Sequence, residues 1–279
     1  MTVPRELRRT REGERIFSMP QLTYGSYLRV PDLLSLQNPV SDGPEHDEML
    51  FIVIHQTYEL WFKQVLHELS ATQTALESGE LWRSVALLGR IRTILKTLVS
   101  QVDILETMTP LQFNSFRERL ESSSGFQSVQ FREFEVVLGR RGDVPLSHLP
   151  DGSPERQRVR NAMDRRSLWG SVLLMLRSRG FAVPQRHVAD VSSLLTGPDP
   201  EVQSLLADAY RNDNEVSLLL ERLVDVDEGV QEWRYRHVKM VERTIGTKPG
   251  TGGSSGVAYL ASTLFRPLFP DLWEVRNRF

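Results

Sequence analysis

The sequence has no cysteine among its 279 residues. This absence excludes disulfides, thiolate-ligated haem, iron–sulfur clusters and cysteine nucleophiles, and it is compatible with a reducing cytoplasm. The N-terminus lacks the apolar core of a signal peptide. The chain also lacks a run of about 18 apolar residues that would span a bilayer. We therefore expect a cytoplasmic protein with no membrane partner.

Neither sign of charge predominates. Lys and Arg number 34 and Asp and Glu number 36, a formal net charge of −2, so the composition does not indicate a nucleic-acid partner. Residues 1–17 are rich in arginine, with Glu12 and Glu14 among the later arginines, which is typical of a solvated arm. We predict one domain over residues 1–279, large enough to bury a substantial core, with residues 1–21 as a flexible N-terminal arm.

Runs of alternating apolar and polar residues bounded by turns are also missing, so strands are not expected. Helical periodicity is strong in residues 46–69, where Leu50, Ile54, Trp61 and Val65 recur on one face. Acidic residues at the start of this segment favour a helix N-terminus. Residues 46–69 are therefore predicted to form a long central helix.

The other periodic segments predict further helices. In residues 80–107 the apolar positions recur by threes and fours, which is typical of a helix packed along a neighbour. The indicated fold class is all-α, a helical bundle of long helices. The remaining helices are predicted at residues 31–37, 110–120, 125–139, 154–180, 184–196, 199–212, 214–245 and 271–277.

Two histidines are predicted to point inward from helices. His55 follows six apolar residues and shares a helical face with Phe51, Tyr58 and Phe62. His237 lies in the apolar stripe of the predicted helix 214–245. A core histidine hydrogen-bonded to a carbonyl is one interpretation of such a residue. Metal ligation is the other.

Spacing narrows the kinds of metal site. His55 and His237 are 182 positions apart, and the chain has neither paired histidines one turn apart nor Glu-x-x-His repeats. Zinc hydrolases and di-iron bundles are therefore disfavoured. One helical histidine facing an aromatic pocket is the arrangement that haem ligation needs. Haem binding stays open beside the core-histidine interpretation.

A glycine-rich stretch and an arginine each have two interpretations, one structural and one functional. The stretch GTGGSSG, residues 250–256, is not a phosphate-binding loop, because no strand precedes it and no lysine–serine pair follows. It is either a flexible connection or a loop that closes over a ligand, with Thr251 as a donor. Arg117 lies one turn after Phe113 and is either an exposed helix arginine or a bidentate clamp for a carboxylate.

Several long stretches resemble one family, the tryptophan 2,3-dioxygenases. The resemblance runs in order from about residue 22 to 275, is loose over residues 140–212, and is carried by HDEMLFIVIHQTYELWFKQVLHEL, TPLQFNSFRERL, SSGFQSVQFR, WRYRHVKMVERTIG and PGTGGSSGVAYL. It implies an all-helical homotetramer that binds haem b. It also implies cleavage of the indole C2–C3 bond of L-tryptophan with O2 as co-substrate, giving N-formylkynurenine in tryptophan degradation along the kynurenine pathway.

The resemblance assigns roles on the haem side of the pocket. It implies that His237 is the axial ligand of the haem iron, with a second-shell acceptor for its other ring N–H. His55 matches the distal histidine near the indole N–H, where it orients the indole or acts as a base. Phe51 and Phe113 match positions that pack the indole, which is expected to lie between them.

It also assigns roles around the amino-acid end of the substrate. Arg117 matches the arginine that holds the carboxylate, Thr251 the threonine near the ammonium group, and Ser124 a small polar pocket residue. Tyr24 and Tyr27 match residues that the N-terminal segment lends to a neighbouring subunit's pocket. Ser123 departs from the alanine expected at its position.

Three other functions are compatible with the same residues. One is a haem monooxygenase of the same family that oxidises a substituted tryptophan, such as a methylated one, to an oxindole in secondary metabolism. The second is a non-catalytic sensor of haem or tryptophan. The third is a purely structural helical bundle, in which the two histidines only pack.

Overall fold

The computed structural model describes residues 7–9, 15–17, 21–43, 45–142, 146, 149–189, 197–250 and 256–279. The predicted all-α class is confirmed, and none of the described helices is long and apolar enough to cross a membrane. The helices are α1 (Tyr24–Leu28), α2 (Val30–Leu33), α3 (His46–Glu77), α4 (Leu81–Leu105), α5 (Pro110–Arg117), α6 (Val129–Leu138), α7 (Pro154–Met163), α8 (Leu168–Ser178), α9 (Pro200–Asn212), α10 (Asn214–Ile245), α11 (Val257–Ala261) and α12 (Pro270–Glu274).

The chain divides into two compact units, residues 1–40 and 41–279. The first contains strands β1 (Leu7–Arg9) and β2 (Arg15–Phe17), which pair antiparallel, followed by α1 and α2. The expectation that the chain has no strands is wrong here, because strands of three residues are too short for alternation to show. Neither α1 nor α2 buries a residue. The single domain with a flexible arm stays a prediction.

Three long helices form the centre of the second unit, with α4 in contact with both α3 and α10. Apolar residues along α4 are buried between these neighbours, as its periodicity predicts. The approach of α10 is close at Gly229, where a β-carbon would lie 3.2 Å from a methyl group of Leu95. Helix α3 continues to Glu77, past the predicted end at residue 69, and stops before Gly79, whose φ is 78°.

Two predicted helices in the middle of the chain are wrong in extent. Residues 154–180 form α7 and α8, separated at Ser167, whose side chain accepts a hydrogen bond from the Gly170 amide at 3.1 Å and so begins a new helix. Helix α8 is buried along most of its length and packs against α3. Of the predicted helix 184–196, the described part holds one 3₁₀ turn, Gln185–His187, and residues 190–196 lie outside the described part.

One buried carboxylate fixes the C-terminal segment to α10. Asp227 is fully buried, and its Oδ2 accepts hydrogen bonds from the Leu268 and Phe269 amides at 2.9 and 3.0 Å and from Trp273 Nε1 at 3.0 Å. Its Oδ1 accepts from Gln231 at 2.9 Å. A buried charge is tolerated when donors surround it in this way, so α12 is held in a defined position.

Candidate functional site

A cavity of about 250 Å³ opens inside the second unit. Its walls come from α3, the end of α4, α5, the 3₁₀ turn Gly125–Gln127, α6 and α10, and they are mainly apolar. Six residues singled out from the sequence line it together, although they come from distant parts of the chain: Phe51, His55, Phe113, Arg117, Ser124 and His237.

Aromatic rings form one wall of this cavity. The centroids of Phe51 and Phe113 are 5.8 Å apart, and the fully buried Phe116 packs against both, at 5.7 and 5.5 Å. A flat ring between two others needs about 3.5 Å on each side. The two rings contact each other and present one shared surface, and the expectation that an indole lies between Phe51 and Phe113 stays a prediction.

His55 stands at the edge of the aromatic wall, 4.1 Å from Phe51 between ring centroids. Its Nδ1 lies 2.7 Å from the Phe51 carbonyl oxygen. A carbonyl can only accept, so Nδ1 carries the proton. Burial lowers the pKa of His55, against the opposing effects of that carbonyl and of Glu59. In the neutral ring, Nε2 is therefore a hydrogen-bond acceptor.

His237 lies on α10, one turn after Trp233, and the two rings stack almost parallel, 5.2 Å apart at an angle of 4°. Burial lowers the pKa of His237 to about 4, with smaller contributions from His55 and Arg132, so the imidazole is neutral at pH 7. Part of its ring surface remains open to the cavity. Among the described residues nothing hydrogen-bonds to this ring, so the second-shell acceptor stays a prediction.

A charged cluster lies behind the cavity, centred on the buried carboxylate of Glu135. It accepts from Arg132 at 2.6 Å, from Arg234 at 2.7 Å and from Arg140 at 3.2 Å. Three guanidinium groups surround this carboxylate, and the buried Asp227 also acts on Arg234, so the cluster keeps an excess of positive charge. Burial and the neighbouring arginines lower the pKa of Arg234. The Nε atom of Arg132 is buried and has no hydrogen-bond partner, so the wall favours an anionic group.

Helix α5 positions Phe113 and Arg117. It begins with a capping box between Thr109 and Gln112, and Ser115 donates a hydrogen bond to Glu45 at 2.6 Å, which joins α5 to the start of α3. The half-buried Arg117 donates from Nη2 to the Pro249 carbonyl at 2.7 Å. The hydroxyl of Ser124 accepts from the Phe126 amide at 3.3 Å.

The remaining predicted site residues are not placed in this cavity. Thr251 lies in residues 251–255, outside the described part of the chain. Tyr24 and Tyr27 belong to the first unit, where both are exposed on α1. Their roles stay predictions.

Sequence reasoning assigned no role to four residues of the cavity wall: Trp233, Arg132, Glu135 and Arg234. One signal is visible in the sequence, because Trp233 precedes His237 by one helical turn. Arg132 and Glu135 share helix α6 with the polar residues Gln130 and Glu133, so the local pattern does not single them out.

The described residues offer no group of three or more His, Asp or Glu side chains that would hold a bare metal ion. The cavity instead offers the neutral imidazole of His237, the acceptor nitrogen of the neutral His55, an aromatic wall, and cations at two places.

Comparisons with known proteins identify related chains. A family model described as tryptophan 2,3-dioxygenase matches residues 8–148 and 199–279. A protein named tryptophan 2,3-dioxygenase from Anaeromyxobacter sp. (strain K) is 58% identical over 256 residues, covering 92% of this chain and 96% of its own. A protein of the same name from Herpetosiphon aurantiacus is 56% identical, with 91% and 97% covered. One from Nocardioides sp. is 47% identical, with 92% and 94% covered.

Proposed function

The chain belongs to the tryptophan 2,3-dioxygenase family, and from this premise we propose that it is the haem-dependent enzyme that converts L-tryptophan to N-formylkynurenine. Both atoms of one O2 are inserted across the indole C2–C3 bond, which breaks. The observation that carries the proposal is the convergence, in one cavity, of His237, His55, the aromatic wall and Arg117.

The residues of the cavity fit haem b. His237 would bind the iron, because its neutral imidazole faces the cavity. The stacked Trp233 ring limits the rotation of this imidazole. The excess positive charge around Glu135 and the unpartnered Nε of Arg132 suit a cofactor that carries two carboxylates. When bound, haem supplies the ferrous iron that activates dioxygen.

His55 orients the indole. Because its Nδ1 proton is held by the Phe51 carbonyl, Nε2 accepts the indole N–H. An indole N–H is a very weak acid, so a neutral imidazole of lowered pKa positions the ring rather than removing the proton. The indole packs against the shared surface of Phe51 and Phe113.

Arg117 recognises the amino-acid end of the substrate. A guanidinium group can form two parallel hydrogen bonds to a carboxylate, and Arg117 reaches the cavity from the last turn of α5. Thr251 is proposed to contact the ammonium group and Ser124 to contribute a polar edge to the pocket. Together these groups select an α-amino acid over a simple indole.

Arg117→Leu is expected to weaken L-tryptophan binding by about 1.5–3 kcal/mol, roughly 10- to 150-fold. Tryptamine, which has no carboxylate, should bind nearly as well as it binds wild type. Titration of the haem spectrum with each ligand measures both affinities. Equal losses for the two ligands would show that Arg117 holds no carboxylate.

Labelled dioxygen tests the reaction itself. Wild-type protein given ¹⁸O2 and L-tryptophan should release N-formylkynurenine that carries two labelled atoms, as read by mass spectrometry. One labelled atom in an oxindole, with a methylated tryptophan preferred, would instead establish the monooxygenase. Unchanged tryptophan would leave only the sensor or the structural bundle.

We also propose that the protein is a homotetramer in which the N-terminal segment reaches a neighbouring copy. Large apolar side chains are exposed along residues 21–40, among them Tyr24 at 79% and Tyr27 at 73%. Helices α1 and α2 are too short to bury them, and a second copy would remove them from water. A cytoplasmic location likewise stays a prediction.

Deletion of residues 1–28 is expected to dissociate the oligomer and to reduce turnover together, because Tyr24 and Tyr27 would complete the neighbour's pocket. Light scattering and activity are measured on the same sample. Deletion of residues 1–20, which keeps both tyrosines, is the matched control and should change neither. A fully active monomer lacking residues 1–28 would refute the shared pocket.

A further inference from the structure

The proposed carboxylate-binding side chain is itself held by the main chain. Arg117 Nη2 donates to the Pro249 carbonyl at 2.7 Å, across 132 positions of sequence. Pro249 follows the end of α10, which stops at Ile245, and Gly250 lines the same cavity as Arg117. The contact therefore joins α5 to the segment after α10 at the rim of the cavity.

The hydrogen bond to the Pro249 carbonyl uses only part of the donor capacity of the Arg117 guanidinium. A guanidinium has five N–H donors in a planar fork, and the bond to Pro249 uses one donor of Nη2. Within the described part of the chain no other hydrogen bond engages Arg117, so the other donors are available to a carboxylate. This bond at Nη2 and the covalent link through the side chain together hold the planar fork at two ends, which restricts its orientation. The carbonyl therefore orients the guanidinium without competing for its bidentate edge.

The backbone that carries the accepting carbonyl has little conformational freedom. The proline ring fixes φ at Pro249, and the preceding Lys248 is restricted to extended conformations. Gly256 lies against this segment: a β-carbon there would be 2.8 Å from the Lys248 carbonyl oxygen and 3.5 Å from the Gly250 nitrogen. Gly256 also has φ 62°, in the left-handed region that favours glycine.

We propose that Pro249 is a positioning residue for the substrate carboxylate: its carbonyl sets the orientation of the Arg117 guanidinium, and the lack of a side chain at Gly256 lets the Lys248–Gly250 segment keep its position. The proposal rests on the proposed function, since it concerns the group that Arg117 binds. It predicts that a change far from Arg117 in sequence acts selectively on ligands that carry a carboxylate.

The test is a double-mutant cycle on the haem-loaded protein, with Pro249→Gly and Arg117→Leu made singly and together. Affinities for L-tryptophan and tryptamine are measured by spectral titration. Pro249→Gly should weaken L-tryptophan about tenfold, since small misplacements of a positioning group have large effects, and should leave tryptamine unchanged. In the Arg117→Leu background the same substitution should have no further effect.

Two control variants separate an effect on Arg117 from a general effect on the chain. Pro267→Gly makes the same change in chain stiffness outside the cavity lining and should alter neither affinity. Gly256→Ala displaces the Lys248–Gly250 segment by a different route and should reproduce the selective loss. Thermal unfolding of each variant shows whether it is folded.

Equal weakening of both ligands, or a full Pro249→Gly effect in the Arg117→Leu background, would overturn the proposal. A different measurement, product release by the wild-type protein, tests the proposed function. Wild-type protein that binds tryptophan but releases no N-formylkynurenine would contradict the reaction and leave the measured coupling intact.

Discussion

His237→Ala is expected to give a folded protein that no longer retains haem and has no dioxygenase activity. The alanine removes the one neutral imidazole that faces the cavity from α10, and haem iron needs such a ligand from the protein. The measurement is the Soret absorbance after reconstitution with haem and gel filtration, together with turnover of L-tryptophan.

His67→Ala is the matched control, because His67 is exposed on α3, outside the cavity lining. It should keep the wild-type spectrum. Added imidazole should restore part of the Soret band in His237→Ala by occupying the space that the side chain leaves. An unaltered spectrum in His237→Ala without imidazole would show that another residue binds the iron.

Glu135→Ala is expected to lower the free energy of unfolding by about 3–5 kcal/mol, because it removes the carboxylate that pairs with three buried or nearly buried arginines. The side chains of Arg132, Arg234 and Arg140 are 7, 5 and 15% exposed. Their charges cannot be hydrated without opening the wall between α6 and α10. Urea unfolding monitored by circular dichroism measures the loss.

Glu133→Ala on the same helix is the control. Glu133 pairs with Arg158, whose side chain is 47% exposed, and such surface pairs contribute about 0–1 kcal/mol. Similar small losses for both variants would mean that water reaches the cluster and that the excess charge is screened. The interpretation of this wall as an anion site would then lose its basis.

The long helices follow from the sequence because their apolar periodicity is sustained over many turns. Helices α4, α9 and α10 lie within two residues of their predicted bounds. The boundary between α7 and α8 within residues 154–180 is not visible in the sequence, because the apolar run of α8 continues the helical pattern of α7. A single capping side chain, Ser167, decides where one helix ends and the next begins.

Some residues of the candidate site can also be predicted from the sequence, and others cannot. His55 and His237 stand out because a polar ring in an apolar helical stripe is visible within one segment. Glu135 does not stand out in this way, because its burial depends on a contact with Arg234, 99 residues later in the chain. Contacts of this range depend on the packing of α6 against the rest of the unit, which no local pattern encodes. The Pro249 contact of Arg117 is hidden for the same reason.

Helix α8 has a consequence for how this chain relates to others in its family. It lies in residues 149–198, between the two matched parts of the family model, yet its leucines and Trp169 are part of the central core against α3. Such a segment is not a detachable insertion, since its removal would expose a broad apolar face. A homologue without this helix would need to cover the same face of α3 in another way, so we expect replacement of this region rather than its simple loss.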